Sequence, residues 1–414
     1  MKQILLKGDG VSPGIISGKL KYVKNIDSAS KIVDGDIVFA KSLHPPLPSQ
    51  ARHASAFIIQ SASEADHTVS YIKEIWKPCV LVDDISVFKE DIEVTVDGQS
   101  GNIFLGKQEK NSQNFYLPLA HKLNSKIYLQ MSIPRMAKSA MELNTDGVGL
   151  LRTNLIVEET GNHPYFYYIK QNKEQELIDI LANGIMQIAE TFNPKPVWIR
   201  TMDFSTDELS LYNKGEEEIV ESNPLLGWRG IVRGLDQKEL LSVDFQAIKK
   251  VLDAGYNNIG IIFPMVRDVS EYILVKEALL GHGIKPHVDI KVGSMFETPV
   301  AAMQIEDFVK SGLDLAFVGI NDITQYTLAA DRTNPNMQQV YNPANTAVLN
   351  LVYNVLETCK YNNIETTTSF LSPLKKVLPE LLSRGLVSFT LQADRINEIA
   401  ELVFEAEKKV SEKI

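Results

Sequence analysis

LAFVGINDITQYTLAADR, residues 315–332, opens with an apolar run of strand length, carries Asn321 and Asp322 at the end of that run, and closes with Arg332. Comparable runs recur on both sides of it: KIYLQMSI (126–133), GVGLLRTN (147–154), PVWIRTMD (196–203), GIIFPMV (260–266), IKVGSMFET (290–298), IETTTSFL (364–371) and LVSFTLQ (386–392). The longer segments between them have helix periodicity. Leu177, Leu181, Ile185 and Ile188 share one face, as do Val348, Val352, Val355 and Cys359 behind Asn345 as a cap. Strand-like runs alternating with helices over residues 126–414 predict an α/β fold, a (β/α)8 barrel of the TIM type. The same alternation also suits an open doubly wound sheet, the alternative that the pattern leaves standing.

Upstream the texture changes. Residues 1–106 read as a small β/α domain. Its short strands are Gly18–Val23, Asp36–Ala40, Ala56–Gln60, Cys79–Asp84, Glu93–Asp97 and Asn102–Gly106, punctuated by Gly and Asp. One helix interrupts them, from Glu64 to about Trp76, with Ser63 as its cap and Asp66 three residues later. Residues 107–125, KQEKNSQNFYLPLAHKLNS, are polar without strand alternation and read as a linker.

Bulk properties narrow the function classes. The net charge of −10 speaks against nucleic acid or an anionic membrane as partner, so an anionic substrate must meet a local cationic site. The two cysteines, Cys79 and Cys359, have no metal-ligand spacing. The N-terminal MKQILLKGDG is too short and polar for a signal peptide, and no apolar run approaches the ~20 residues of a membrane span. These features set the expectation of a cytoplasmic protein.

Polar residues gather at the C-terminal ends of the runs: Arg152, Arg200 with Asp203, Glu297, and Asn321 with Asp322. In a barrel that edge holds the active site. Glu297 and Asp322, on neighbouring runs, suit one Mg²⁺ with phosphate supplying further oxygens. Arg152 and Arg200 offer fork-shaped donors for phosphate or carboxylate, and Arg229 and Arg332 add charge. The same residues also suit plain salt bridges closing the barrel mouth. In the first domain, Val69, Ile72 and Trp76 form the apolar face of the helix, and His67 falls on the other side with Tyr71 and Glu74. A neutral imidazole near a helix N-terminus can accept a phosphoryl group held by free backbone N–H groups. A plain surface histidine fits the position as well.

Together these motifs resemble the phosphoenolpyruvate-utilising family, which includes phosphoenolpyruvate synthase, pyruvate phosphate dikinase and enzyme I of the bacterial sugar phosphotransferase system. DGVSPGIISGKL looks like the start of its swivelling phosphohistidine domain, and HTVSYIKEIWKP has its spacing from histidine to proline. GVGLLRTN, RTMDFSTDE, NPLLGWRG, FETP and GINDITQYTLAADR follow in the family's order. The resemblance implies a phosphotransferase in which His67 carries phosphate. Arg152, Arg200, Arg229, Arg332 and Asn321 then hold phosphoenolpyruvate, and Glu297 and Asp322 bind Mg²⁺. It also implies a homodimer formed through the barrel and a linker that works as a hinge.

The sequence departs from that pattern in places. Counting back from Gly385 puts the family's enolate-protonating cysteine at Thr367 or Thr368, where a hydroxyl is a far poorer acid. Asp66 sets a negative charge beside His67, and Asn154 replaces the carboxylate of the family's RTE motif. The nucleotide-grasp domain has no counterpart, since GDGVSPG leads into a strand rather than a helix. Phosphate for His67 is therefore expected from a separate ATP-grasp chain, or from another part of a longer protein. The competing expectation is a catalytically weakened sensor of phosphoenolpyruvate.

Overall fold

The computed structural model describes residues 3–41, 43, 52–60, 67–108, 116–332, 334–370 and 372–412. The N-terminal part is an eight-stranded sheet: β1 (Ile4–Lys7), β2 (Asp9–Ser12), β3 (Ile15–Tyr22), β4 (Asp36–Ala40), β5 (Ala56–Ile59), β6 (Cys79–Leu81), β7 (Glu93–Asp97) and β8 (Asn102–Leu105), in the order β1-β8-β7-β3-β4-β5-β6-β2. The pairs β3–β4, β4–β5 and β5–β6 are parallel and the others antiparallel. β1 and β2 escape the sequence reading.

The eight apolar runs all become strands: β9 (Lys126–Gln130), β10 (Gly147–Arg152), β11 (Val197–Arg200), β12 (Ile259–Phe263), β13 (Lys291–Phe296), β14 (Leu315–Val318), β15 (Glu365–Thr368) and β16 (Ser388–Leu391). Each pairs in parallel with the next, and β16 closes on β9, so the sheet is a barrel and not an open doubly wound one. Both faces of every strand are covered, which is why the runs read as nearly continuous apolar stretches. Leu150, Trp198, Ile262, Met295, Leu315 and Phe317 fill the lumen. Their neighbours Leu151, Ile199, Ile261, Phe296 and Ala316 pack outward against the helices. Burying each large aliphatic side chain contributes roughly 1.5–3 kcal/mol. Gly260 leaves room for an indole, since a Cβ there would lie 2.5 Å from the Trp198 ring. Outside, Leu177, Leu181, Ile185 and Ile188 are buried on the Glu174–Phe192 helix, and Asn345 caps Thr346–Tyr361 by accepting from the Ala347 amide.

Between sheet and barrel, residues 116–125 form no regular element but are fastened to the barrel. The Ala120 amide donates to Asn397 (3.1 Å) and the Ser125 amide to Glu407 (2.7 Å). Tyr116 stacks on Trp76 with ring centroids 4.5 Å apart. The rest of the predicted linker, 109–115, lies outside the described residues.

The helix of the small sheet runs His67–Glu74 and ends where Trp76 turns left-handed (φ 55°). Its predicted start and cap, Ser63 to Asp66, lie outside the described residues, as does the side chain of His67. Val69 and Ile72 face the small core as expected. The opposite face is not turned to solvent, however. Tyr71 and Glu74 are 0% and 4% exposed, because the helix lies against the barrel. Ile133 and Leu155 of the barrel complete the small domain's apolar core. The Tyr71 hydroxyl donates to Glu159 (3.1 Å) and accepts from Arg135 (3.1 Å). A periodicity count sees one element at a time and cannot tell a solvated polar face from one docked on polar partners.

Candidate active site at the barrel mouth

Parallel strands deliver their last residues to one rim, and there the predicted charges meet. Arg152 ends β10 and Arg200 ends β11. Asp203 follows three residues on and lies 3.3 Å from Arg200. It also takes two parallel hydrogen bonds from Arg229, Nε to Oδ1 at 2.9 Å and Nη2 to Oδ2 at 2.8 Å. Burial opposes charge on both partners. Even so, Asp203 lifts Arg229 well above its usual range, and Arg229 with Arg200 holds Asp203 below the usual carboxylate range.

Asn154, the substitute for a carboxylate, accepts from Arg200 Nη2 at 2.9 Å. It keeps the hydrogen bond but not the charge, leaving the Arg200 guanidinium less neutralised than a glutamate would. Burial pushes the Arg200 pKa down, with neighbouring Arg152 and Arg229 adding to that direction against the pull of Asp203 and Glu297. Among the described residues, the Nε atoms of Arg152 and Arg200 are buried donors with no acceptor. A bound anion would satisfy both, since leaving a buried donor unpaired costs about 1–3 kcal/mol.

The carboxylates come from the next strands. Glu297 follows β13 and accepts from the Met265 amide at 2.9 Å. A Cβ at Gly319, just after β14, would sit 2.5 Å from Glu297 Cγ, so glycine alone gives that side chain its place. Asp322, on the Ile320–Leu328 helix, is 3.2 Å from Arg332. Asn321 accepts from the Tyr341 hydroxyl at 2.8 Å. Burial, with Asp322 and then Asp203 adding negative charge, pushes the Glu297 carboxyl up to about 7. A divalent cation would relieve that crowding. Among the described residues no three His, Cys, Asp or Glu side chains form a ready metal cage. Two carboxylates suit Mg²⁺ all the same, because Mg²⁺ keeps waters and takes substrate oxygens.

Beneath the rim, Asp244 accepts from the Met202 amide at 2.9 Å, and burial raises it to about 7. His163 is fully buried and 3.0 Å from Glu218, which also holds Arg233 at 2.6 Å. The His163 Nδ1 accepts two backbone amides, so Nε2 carries the proton that Glu218 takes. This cluster anchors the loop leading to Arg229.

Thr367 and Thr368 do not reach the mouth. The Thr367 hydroxyl is 2.9 Å from that of Thr390 inside the barrel, and the Thr368 hydroxyl donates to the Val318 carbonyl at 2.7 Å. Ser369 instead joins Asn321, Arg332, Tyr341, Ser70 and Lys73 around a cavity of about 430 Å³ between helix and barrel. A larger cavity, about 900 Å³, opens at the opposite end among the strand starts Lys126, Ile259 and Lys291, far from the arginines.

The sequence reading gave no site role to Glu74, Ser70, Ser369 or Asp244. Glu74 alone left a signal: it lies seven residues, two turns, after His67 and so on the same helix face. Glu74 accepts from Arg152 Nη2 at 2.6 Å and from the Ser132 amide at 2.7 Å, and Ser70 accepts from Arg152 at 2.9 Å.

The family description "PEP-utilising enzyme, PEP-binding domain" matches residues 106–408. The chain is 35% identical over 422 residues to a phosphoenolpyruvate synthase of Pyrococcus furiosus, covering 99% of this chain and 52% of that protein. It is also 35% identical over 414 residues to a probable phosphoenolpyruvate synthase of Archaeoglobus fulgidus, covering 99% and 55%. The chain thus spans about half the length of the curated relatives it matches.

Proposed function

Because the chain belongs to the phosphoenolpyruvate-utilising enzyme family, we propose that it moves a phosphoryl group between His67 and pyruvate at the barrel mouth, as part of a phosphoenolpyruvate synthase-type phosphotransferase. The observation that carries the reading is the rim itself. Arg152, Arg200, Arg229 and Arg332 surround Glu297 and Asp322, with the His67 helix lying over them. In the synthetic direction the enolate oxygen of pyruvate attacks phosphorus and the bond to the imidazole breaks. The arginines bind the three phosphate oxygens and keep the reacting atoms in line. Mg²⁺ on Glu297 and Asp322 would supply positive charge to the same oxygens. The imidazole is recharged by a separate ATP-grasp partner, chain or domain.

Incubation with labelled phosphoenolpyruvate and Mg²⁺ tests this. Acid-labile label on His67, abolished by His67→Ala while phosphoenolpyruvate still binds, is the expected result. A second reading, a phosphoenolpyruvate sensor, draws support from the committed hydroxyls of Thr367 and Thr368. Tight binding with no label on any histidine would establish the sensor and end the transferase.

A further inference from the structure

We infer that Glu74 is a positioning residue: it docks the small domain onto Arg152 and thereby sets that guanidinium for phosphate, so that the barrel's phosphate site is complete only beneath the His67 helix. The inference rests on the substrate and transfer reading above. Three residues far apart in sequence close a ring of hydrogen bonds. The Arg152 amide donates to Ser132 Oγ at 2.9 Å, the Ser132 amide to Glu74 Oε2 at 2.7 Å, and Arg152 Nη2 to Glu74 Oε1 at 2.6 Å. Ser70, one turn earlier on the helix, accepts from the same Nη2 at 2.9 Å. The side chains of Glu74 and Arg152 are 2% and 14% exposed, so the ion pair is largely shielded from water. Both helix residues engage the guanidinium through Nη2. The Nε–H, also buried, has no acceptor among the described residues and is left for a substrate oxygen.

Ser70 and Glu74 stand three and seven residues after His67, so the three positions share one face of the His67–Glu74 helix. Ser70 also lines the cavity at the barrel mouth with Asn321, Arg332 and Ser369. The contacts that hold Arg152 therefore also fix the face of the helix that carries position 67 over the substrate site. Without Glu74, Arg152 loses its charged partner, and a long side chain must be ordered anew for each substrate. With Glu74 in place that ordering is already done when substrate arrives. Docking and phosphate binding thus reinforce one another, a positive coupling felt equally by both. Transfer needs this sign of coupling, because the helix must lie over a filled rim.

The test uses the whole chain and two variants. Glu74→Gln keeps the size but offers one carbonyl oxygen where the carboxylate offers two, so Arg152 or Ser132 loses its acceptor. Tyr71→Phe removes a different contact between helix and barrel, with Glu159 and Arg135, and leaves Arg152 its partners. Labelling of His67 is followed in a single turnover over a range of labelled phosphoenolpyruvate with Mg²⁺, which separates the maximal rate from the half-saturating concentration. Glu74→Gln should lower the maximal rate at least about tenfold, as loss of a charged hydrogen bond does. Its half-saturating concentration should move less than about threefold, because three other arginines still hold the substrate. Tyr71→Phe should move either quantity by no more than about threefold. Equal losses of rate in the two variants would overturn the positioning role and leave Glu74 an ordinary docking contact. Full labelling speed in Glu74→Gln would overturn it as well. A wild type that binds phosphoenolpyruvate but labels no histidine would remove the transfer reading, and this inference with it.

Discussion

Arg229 and Asp203 meet through two parallel hydrogen bonds of 2.9 and 2.8 Å at the barrel mouth, with 14% and 2% of their side chains exposed. Asp203 lies 3.3 Å from Arg200 as well, so one carboxylate fixes two guanidinium groups in the same rim. A lysine has the charge of arginine but not its fork. Arg229→Lys should lower unfolding free energy by about 1–3 kcal/mol, since Asp203 loses a buried charged hydrogen bond. Phosphoenolpyruvate should bind at least about tenfold more weakly. Denaturant melts and calorimetry read the two effects, and an unchanged midpoint would mean that the fork does not hold the rim together.

Gly319 has φ −82°, an ordinary backbone conformation, so its constraint is space alone. Gly319→Ala puts a methyl group 2.5 Å from Glu297 Cγ. Either the carboxylate or the start of the Ile320–Leu328 helix must shift, at a cost of about 1–3 kcal/mol. The expected outcome is a loss of Mg²⁺-dependent phosphoenolpyruvate binding, with inorganic phosphate still bound in the absence of Mg²⁺. Equal losses for both ligands would place the damage in the arginine cluster instead.

Asp244 predicts a pH dependence. Its carboxyl is raised by burial from the ordinary range to about 7, so the folded protein holds a proton there that the unfolded chain has released. The stability this lends is fully present below about pH 4 and is lost as pH rises through about 7. Asp244→Asn keeps the shape and cannot ionise. The variant should gain on the wild type by roughly 1–3 kcal/mol between pH 5.5 and pH 8.5. Urea midpoints of both proteins at the two pH values check this; a gap between the two proteins that stays constant would mean that Asp244 is not the group titrating.

Legibility in the sequence followed the range of the forces involved. The barrel was readable because strands buried on both faces leave long apolar runs, and the rim because parallel strands all end on one side. Arg152, Arg200, Glu297 and Asp322 follow from those two facts together. Glu74 was not readable as a ligand of Arg152, because its partner stands 78 residues away across an interface that no local period encodes. Asp244 was hidden for a related reason: it sits on a helix, Lys238–Asp253, whose buried face otherwise carries Leu241, Phe245 and Ile248. Asp203 stood among the rim residues from the start, but that it binds Arg229 rather than a metal depends on where a loop returns.

The enolate acid is where a one-residue register matters most. Along β15, Thr366 and Thr368 donate to the carbonyls of Gly385 and Val318, while Thr367 turns inward to Thr390. Alternation puts residue 369 on the same side as Thr367 and about 6.6 Å nearer the rim. Ser369 does line the mouth cavity with Asn321 and Arg332. On the proposed reading, Ser369, one residue past the end of the strand, is therefore the residue expected to donate the proton to a bound enolate. A thiol ionises near pH 8.5, many units below an alkanol, and so hands a proton to carbon far more readily. Ser369→Cys should raise pyruvate formation from phosphoenolpyruvate by roughly tenfold or more. Thr367→Cys, whose thiol would stay in the barrel interior, and Thr368→Cys, turned toward Val318, should leave that rate unchanged. A gain in either threonine variant with none at Ser369 would shift the register of the site and return the donor to the wall of the barrel.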